Sequence, residues 1–194
     1  MLKRLFDIFL SSIGIISFSP LWLLFSLAIK LEDRGPIFYS QERVGKNGRI
    51  FKALKFRSMI PDAEKHTGAI WASENDPRVT KVGKILRATA MDELPQLWNI
   101  LKRDMSFVGP RAERPELVEK FAKEIQNYHQ RFLVKPGLTG IAQIYGKYDT
   151  PPHQKLRYDL LYIKNQSFFL DLKLILLSFW ITFRGKWESR QRKW

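Results

Sequence analysis

From Ile8 to Ala28 every residue is apolar or small and none is charged, a run that few folds can absorb. At about 1.5 Å per residue it is long enough to cross a hydrocarbon core of roughly 30 Å. A secretory leader is one explanation, but no small-residue cleavage site followed by a polar mature start closes the run. A spanning helix is another, and on hydropathy alone it leads. Two details count against a straight span. Ser19-Pro20 stands near the middle, where proline removes a backbone hydrogen bond and bends a helix. Lys3 and Arg4 precede the run and Lys30 and Arg34 follow it, so the positive-inside rule fixes no orientation, and both ends on the cytoplasmic side would satisfy it. A helix that enters one leaflet, breaks at Ser19-Pro20 and returns meets both facts.

After Gly35-Pro36 the pattern becomes that of a mixed α/β domain. Ile37 to Gln41 and Ile50 to Phe56 read as strands joined by a turn through Gly45-Lys46-Asn47-Gly48, a hairpin. Lys55 and Arg57 fall on one face by the period of two, where both could meet an anion or simply be solvated. From Met59 to Pro77 the chain is polar and rich in turn formers, which predicts an irregular loop, with Trp71 a weak candidate for a substrate contact. Val79 to Ala88 has helical spacing, Ser106 to Val108 reads as a short strand, and Glu113 to Ile125 as an ordinary amphipathic helix. Leu156 to Ile163 and Phe168 to Phe183 are helical, and the apolar centre of the second, Leu174 to Phe183, is too short to span a membrane. Its faces can pack on the domain, lie among headgroups, or do both.

The chemistry gathers around Asp92-Glu93. If Asp92 caps a helix running to Leu101, Pro95 falls in the first turn, where a missing N–H costs little. Both acids then stand at a helix N-terminus. Taken alone, the pair is most often an ordinary cap. Here Arg87 lies five residues before Asp92, and Lys84, Lys102, Arg103 and Arg111 are near in sequence. Two adjacent carboxylates that stay ionised repel each other, and arginines or a divalent cation relieve that. Acids set among cations are the layout of a phosphate-handling site.

Charge narrows the partner. With 33 Lys+Arg against 19 Asp+Glu the formal net charge is +14, which calls for an anionic partner: nucleic acid, membrane surface or phosphorylated substrate. No zinc-finger spacing or RNA-binding aromatic motif points to nucleic acid. Aromatic residues make up 13% of the chain and concentrate in the apolar terminal segments, which favours a membrane interface. The ending, Arg184 to Trp194, mixes cations with tryptophan, and each cation near an anionic leaflet adds about 1 kcal/mol. There is no cysteine, which excludes disulfides, thiolate nucleophiles and Cys-ligated zinc. His66, His129 and His153 are scattered and form no metal motif.

Five segments carry a resemblance. They are Gln41-Glu42-Arg43-Val44-Gly45, Phe51 through Met59, Leu86 through Asn99, Asp104 through Arg111, and Arg131 through Gln143. Together they resemble the bacterial sugar transferases that act as monotopic polyprenol-phosphate phosphoglycosyl transferases, in the compact single-domain form and over nearly the whole chain. Where that family usually carries Pro-Arg-Pro, this chain has Pro110-Arg111-Ala112.

The resemblance implies transfer of a sugar 1-phosphate from a UDP-sugar to polyprenol (undecaprenyl) phosphate with release of UMP, at the first membrane step of capsule, exopolysaccharide or glycoconjugate assembly. It implies Asp92 as nucleophile, Glu93 as ligand to a Mg²⁺ cofactor, and substrate contacts from Arg87, Arg111, Lys55, Pro110 and Lys135. It also implies a monotopic protein of the bacterial inner membrane with its catalytic part on the cytoplasmic face and its membrane break at Ser19 and Pro20. The expected architecture is therefore a helix-rich mixed α/β domain: a re-entrant hairpin over 1–34, a cytosolic catalytic core over 35–150, and interfacial helices with a basic tail over 151–194. A homodimer is compatible with this, and nucleic acid is not an expected partner. The competing class is a non-catalytic basic protein that binds membrane surfaces, which would leave Asp92-Glu93 among arginines unexplained.

Overall fold

The computed structural model describes residues 2–65, 68, 70, 73, 75–184 and 186–187 of the 194. Its first two helices, α1 (Leu2–Ser17) and α2 (Ser19–Asp33), meet at a bend of 57°. The break falls at Phe18, so Pro20 sits in the first turn of α2, where its missing N–H and fixed φ are tolerated. Neighbouring groups restore the backbone pairing: the Ser19 hydroxyl donates to the Ile16 carbonyl at 2.8 Å and Phe18 N–H to Gly14 O at 2.9 Å. Neither helix by itself is long and apolar enough to cross a membrane; the bent pair passes that test only together. Helix α1 is inverted relative to a soluble helix. Asp7, Ser11 and Gly14 face inward, while Leu5, Phe9, Ile13 and Ile16 are exposed.

The expected hairpin is present. Strand β1 (Phe38–Val44) pairs antiparallel with β2 (Ile50–Phe56) from Phe38 opposite Phe56 to Val44 opposite Ile50. Its turn is closed by Asn47 and Gly48, both at positive φ. Helix α3 (Lys81–Ala88) is capped by Thr80, whose side chain accepts from Gly83 N–H. A single 3₁₀ turn, Met91–Glu93, then leads to the short helix α4 (Gln96–Leu101).

Strand β3 (Ser106–Val108) is where the sequence placed it. Its partner lies in a segment quoted above only for its resemblance: Gly137–Thr139 forms β4, parallel to β3. A three-residue stretch that opens on glycine, a residue depleted in strands, does not declare one. The pairing depends on Gly137, because a Cβ there would come within 2.0 Å of the Gly109 nitrogen. Helices α5 (Pro115–Glu124), α6 (Ile141–Tyr145), α7 (Pro152–Lys164) and α8 (Phe168–Phe183) complete the chain.

The main core joins Phe51 and Ala53 of β2, Leu97 and Ile100 of α4, Met105, Phe107, Tyr162 of α7, and Leu174 and Ile181 of α8, with Phe6 and Leu10 of α1 packed on it. The helical hairpin and the C-terminal helices thus share a core with the central segment, in a helix-rich mixed architecture. Helix α8 packs on the domain by one face and leaves the other exposed. Leu174, Ile175 and Ile181 are buried, whereas Phe169, Leu176, Phe179 and Trp180 are exposed.

Candidate active site

The acidic pair is built by a chain reversal. Helix α3 ends at Ala88, Ala90 takes a left-handed φ of 56°, and the 3₁₀ turn follows at once. Asp92 is therefore not the cap of a helix through Leu101: Leu94 and Pro95 intervene and no side chain caps α4. The tight turn instead buries both carboxyl groups, leaving Asp92 6% and Glu93 4% exposed.

Burial at this depth requires compensation. Lys55, from β2, places Nζ 2.6 Å from Glu93 Oε1 and 3.5 Å from Asp92 Oδ2. Arg111, just beyond β3, donates to both Glu93 oxygens, at 2.5 and 3.3 Å. Burial would raise the Glu93 pKa, but Arg111 and Lys55 outweigh it and hold the carboxyl well below its usual range. Glu93 is in this way locked as an anion between two cations. Asp92 instead faces a cavity of about 470 Å³, together with Lys55, Arg87 and Arg111.

The far wall of that cavity holds residues that the sequence did not single out. Lys155 of α7 donates to the Tyr148 carbonyl at 3.1 Å, and the Tyr148 hydroxyl meets Arg87 at 3.4 Å. Burial pushes the Lys155 pKa down to about 8. Arg43 of β1 reaches the Ala112 carbonyl at 3.1 Å, and Arg114 grips Glu64 through two bonds of 2.7 Å. Fully buried Arg131 pairs with Asp159 at 2.9 Å and donates to the Arg111 carbonyl at 3.0 Å. Arg43 and Arg131 stood in segments quoted above for their resemblance, while Lys155 lies on a helix whose facing the sequence leaves open.

Lys55, Arg87, Asp92 and Arg111 are thus brought together. Pro110 is buried and does not line the cavity; its carbonyl accepts from Gly137 N–H at 2.9 Å. Lys135, expected to contact substrate, lies elsewhere. It is absent from the cavity wall, and its pKa is lowered by burial and then by nearby Arg4. Entry into β4 turns this residue toward α1. Arg57 lines the cavity, but its guanidinium is held by both Asp33 carboxylate oxygens and by the Pro36 carbonyl. It is neither a solvated strand residue nor a free anion ligand, since the chain has left β2 at that point. Ala112, at the departure from Pro-Arg-Pro, is buried in the main core. Trp71, His66 and the tail from 188 onward lie outside the described residues.

Among the described residues no three His, Cys, Asp or Glu side chains converge as a metal site. The donor set nonetheless suits Mg²⁺, which ordinarily takes one or two carboxylates and completes its shell with substrate phosphates and water. Asp92 and the second oxygen of Glu93, Oε2, which accepts a 3.3 Å bond from Arg111, would offer such a pair of hard oxygen donors.

A two-carboxylate turn enclosed by cations, at the edge of a cavity that could hold a diphosphate, agrees with what the chain is similar to. It is 45% identical over 177 residues to the UDP-N-acetylgalactosamine-undecaprenyl-phosphate N-acetylgalactosaminephosphotransferase of Aeromonas hydrophila, covering 90% of this chain and 42% of that protein. It is 45% identical over 189 residues to the UDP-glucose:undecaprenyl-phosphate glucose-1-phosphate transferase of Klebsiella pneumoniae, covering 95% and 40%. Exopolysaccharide production protein ExoY of Rhizobium meliloti (strain 1021) is 39% identical over 189 residues, covering 90% and 82%. The chain thus spans about two-fifths of the length of the first two relatives. The family model for bacterial sugar transferases matches residues 1–185, across the acid turn, the cavity walls and the bent helix pair alike, and the chain belongs to that family.

Proposed function

We propose that the protein moves a sugar 1-phosphate from a UDP-sugar to polyprenol phosphate through a covalent intermediate on Asp92. The observation that carries this is the asymmetry of the acid pair: Glu93 is held by Lys55 and Arg111, while Asp92 faces the cavity. In the first step an Asp92 oxygen attacks the phosphorus that bears the sugar, and the bond from that phosphorus to the bridging oxygen of UMP breaks. UMP departs with the electron pair. In the second, a phosphate oxygen of the lipid acceptor attacks the same phosphorus and Asp92 leaves as carboxylate. One phosphoanhydride replaces another. Arg87, Arg111 and Lys155 surround the transferred phosphoryl and the departing nucleotide with positive charge, while Arg111 and Lys55 keep Glu93 ionised. Mg²⁺ held by Glu93, with Asp92 beside it, would supply further positive charge to the diphosphate.

The exposed apolar faces of α1, α2 and α8 support a membrane setting. Phe9, Ile16, Leu23, Leu31, Phe169 and Phe183 are all more than half exposed, more apolar surface than a soluble monomer ordinarily shows. With the 57° bend, α1 and α2 would enter and leave one leaflet. On this reading the cavity lies at headgroup level on the cytoplasmic face of the inner membrane, where the acceptor's phosphate would reach Asp92 without leaving the bilayer. The relatives' names supply the donor and acceptor classes.

The test is exchange of labelled UMP into UDP-sugar by purified, detergent-solubilised protein with Mg²⁺ and no acceptor, across a panel of UDP-sugars. Exchange should occur with at least one sugar, stop on chelation of Mg²⁺, and vanish in Asp92→Asn. Full turnover by Asp92→Asn would remove the nucleophile assignment.

A further inference from the structure

Lys3, Arg4 and Asp7 read in sequence as the charged flank of a membrane segment. In the structure none of them is spent on solvent or headgroups in that way. Arg4 donates to the last two carbonyls of α4, Ile100 O at 2.6 Å and Leu101 O at 2.7 Å, groups that a helix end leaves without intrahelical partners. Asp7 is 3% exposed, and its Oδ1 accepts from the Ser106 hydroxyl at 3.0 Å and from Phe107 N–H at 3.1 Å, both on β3. Lys3 Nζ lies 3.1 Å from the Val108 carbonyl, 2.6 Å from Asp171 Oδ2 and 3.2 Å from the Tyr162 hydroxyl. Gly14 lets the same helix approach α4 further along, for a Cβ there would come within 3.0 Å of Leu97 Cδ1.

The two elements gripped this way carry the two halves of the site. Helix α4 follows Asp92-Glu93 by two residues, and β3 runs through Gly109-Pro110 into Arg111. We propose that α1 is a positioning strut for the transfer reaction: Arg4 fixes α4 while Asp7 and Lys3 fix β3, so that the span between them sets how Arg111 meets Glu93 and how Asp92 is presented to the donor. The inference rests on the covalent reading above. Lys3, Arg4 and Asp7 touch no cavity residue among those that surround Asp92, so they act only through the elements they hold. The membrane-embedded helix and the chemistry are thereby one mechanical unit.

A burst experiment separates positioning from mere folding. With the UDP-sugar in excess over full-length protein, Mg²⁺ present and no lipid acceptor, each molecule can release UMP once, so the amplitude of release counts competent molecules and its rate reports the attack by Asp92. For Asp7→Ala and Arg4→Ala the amplitude per folded molecule should stay near wild type while the burst rate falls at least about tenfold, since small misplacements at a reacting centre are costly in rate. Asp7→Asn, which retains the Oδ1 acceptor, should recover most of the rate. If Asp7→Ala does not fold, Arg4→Ala and Arg4→Lys decide, each by a slowed burst at full amplitude. Wild-type burst rates in the alanine variants and in Arg4→Lys, or losses confined to amplitude, would overturn the strut. Absence of any burst from the wild-type protein would instead overturn the covalent reading, and the strut with it.

Discussion

At the scale of single residues, the site is governed by how buried charge is balanced. Glu93 keeps its charge because Lys55 and Arg111 contact it directly, and Asp92 shares Lys55 at the longer distance of 3.5 Å. Burial pushes the Asp159 carboxyl up to about 6, and Lys155 also changes state near neutrality. Its pKa is lowered from 10.5 to about 8 by burial, so the free protein loses this cation as pH rises through that value. The unfolded chain still binds the proton up to about 10.5, so the same shift makes stability increase across that window. Activity should move oppositely: kcat/KM for the nucleotide sugar falls above pH about 8, and Lys155→Arg, which stays charged, removes that limb of the profile. Arg131 and Asp159 are buried to 4% and 2% exposure at the side chain. Removing one partner leaves an uncompensated charge, so Asp159→Ala should lower unfolding free energy by about 3–5 kcal/mol in a denaturant titration. Both members of this pair are polar residues whose burial no local pattern announces.

At the scale of elements, the proposed relation to the bilayer rests on the bent pair α1–α2. Proline at the start of α2 keeps the break in place, and Pro20→Ala restores an N–H donor and permits a continuous helix. The chain has no native cysteine, so single introduced cysteines report topology without interference. In the wild-type background a cysteine replacing Leu2 and one replacing Lys123 should react with an impermeant maleimide from the same side of the membrane. In Pro20→Ala the Leu2 site should move, in part or wholly, to the opposite side. Equal labelling from opposite sides in the wild type would count against re-entry. The element-level reading from sequence held for α8, the β1–β2 hairpin and the short strand β3, and missed β4 and the 3₁₀ turn at Met91–Glu93. Asp92 resembled a helix cap because an acid shortly before a proline is a helix-start signal, whereas here a 3₁₀ turn closes first and Leu94 and Pro95 separate it from α4.

At the scale of the molecule, a charge of +14 and the apolar faces of α1, α2 and α8 give two independent attractions to a membrane. Binding to anionic vesicles should weaken as salt is raised from about 0.05 to about 0.5 M, because screening shortens the reach of the surface field. A salt-resistant remainder should persist and should equal the binding to neutral vesicles, measured by flotation. Complete release by salt would show that apolar insertion contributes nothing. By itself the sequence determined what is local or compositional: the apolar run and its break, the strands of the hairpin, the long helices, and the demand for an anionic partner. These follow from spacing, turn chemistry and charge, which a linear reading contains. Only the tertiary structure decided that Lys55 and Arg111 close on Glu93 from two separate strands, that Arg57 is consumed by Asp33, that Lys135 turns toward α1, and that Lys155 joins the cavity. Each of these depends on which segments meet after long excursions of chain, and the close approach of β3 and β4 at Gly109 and Gly137 leaves no trace in either segment read alone.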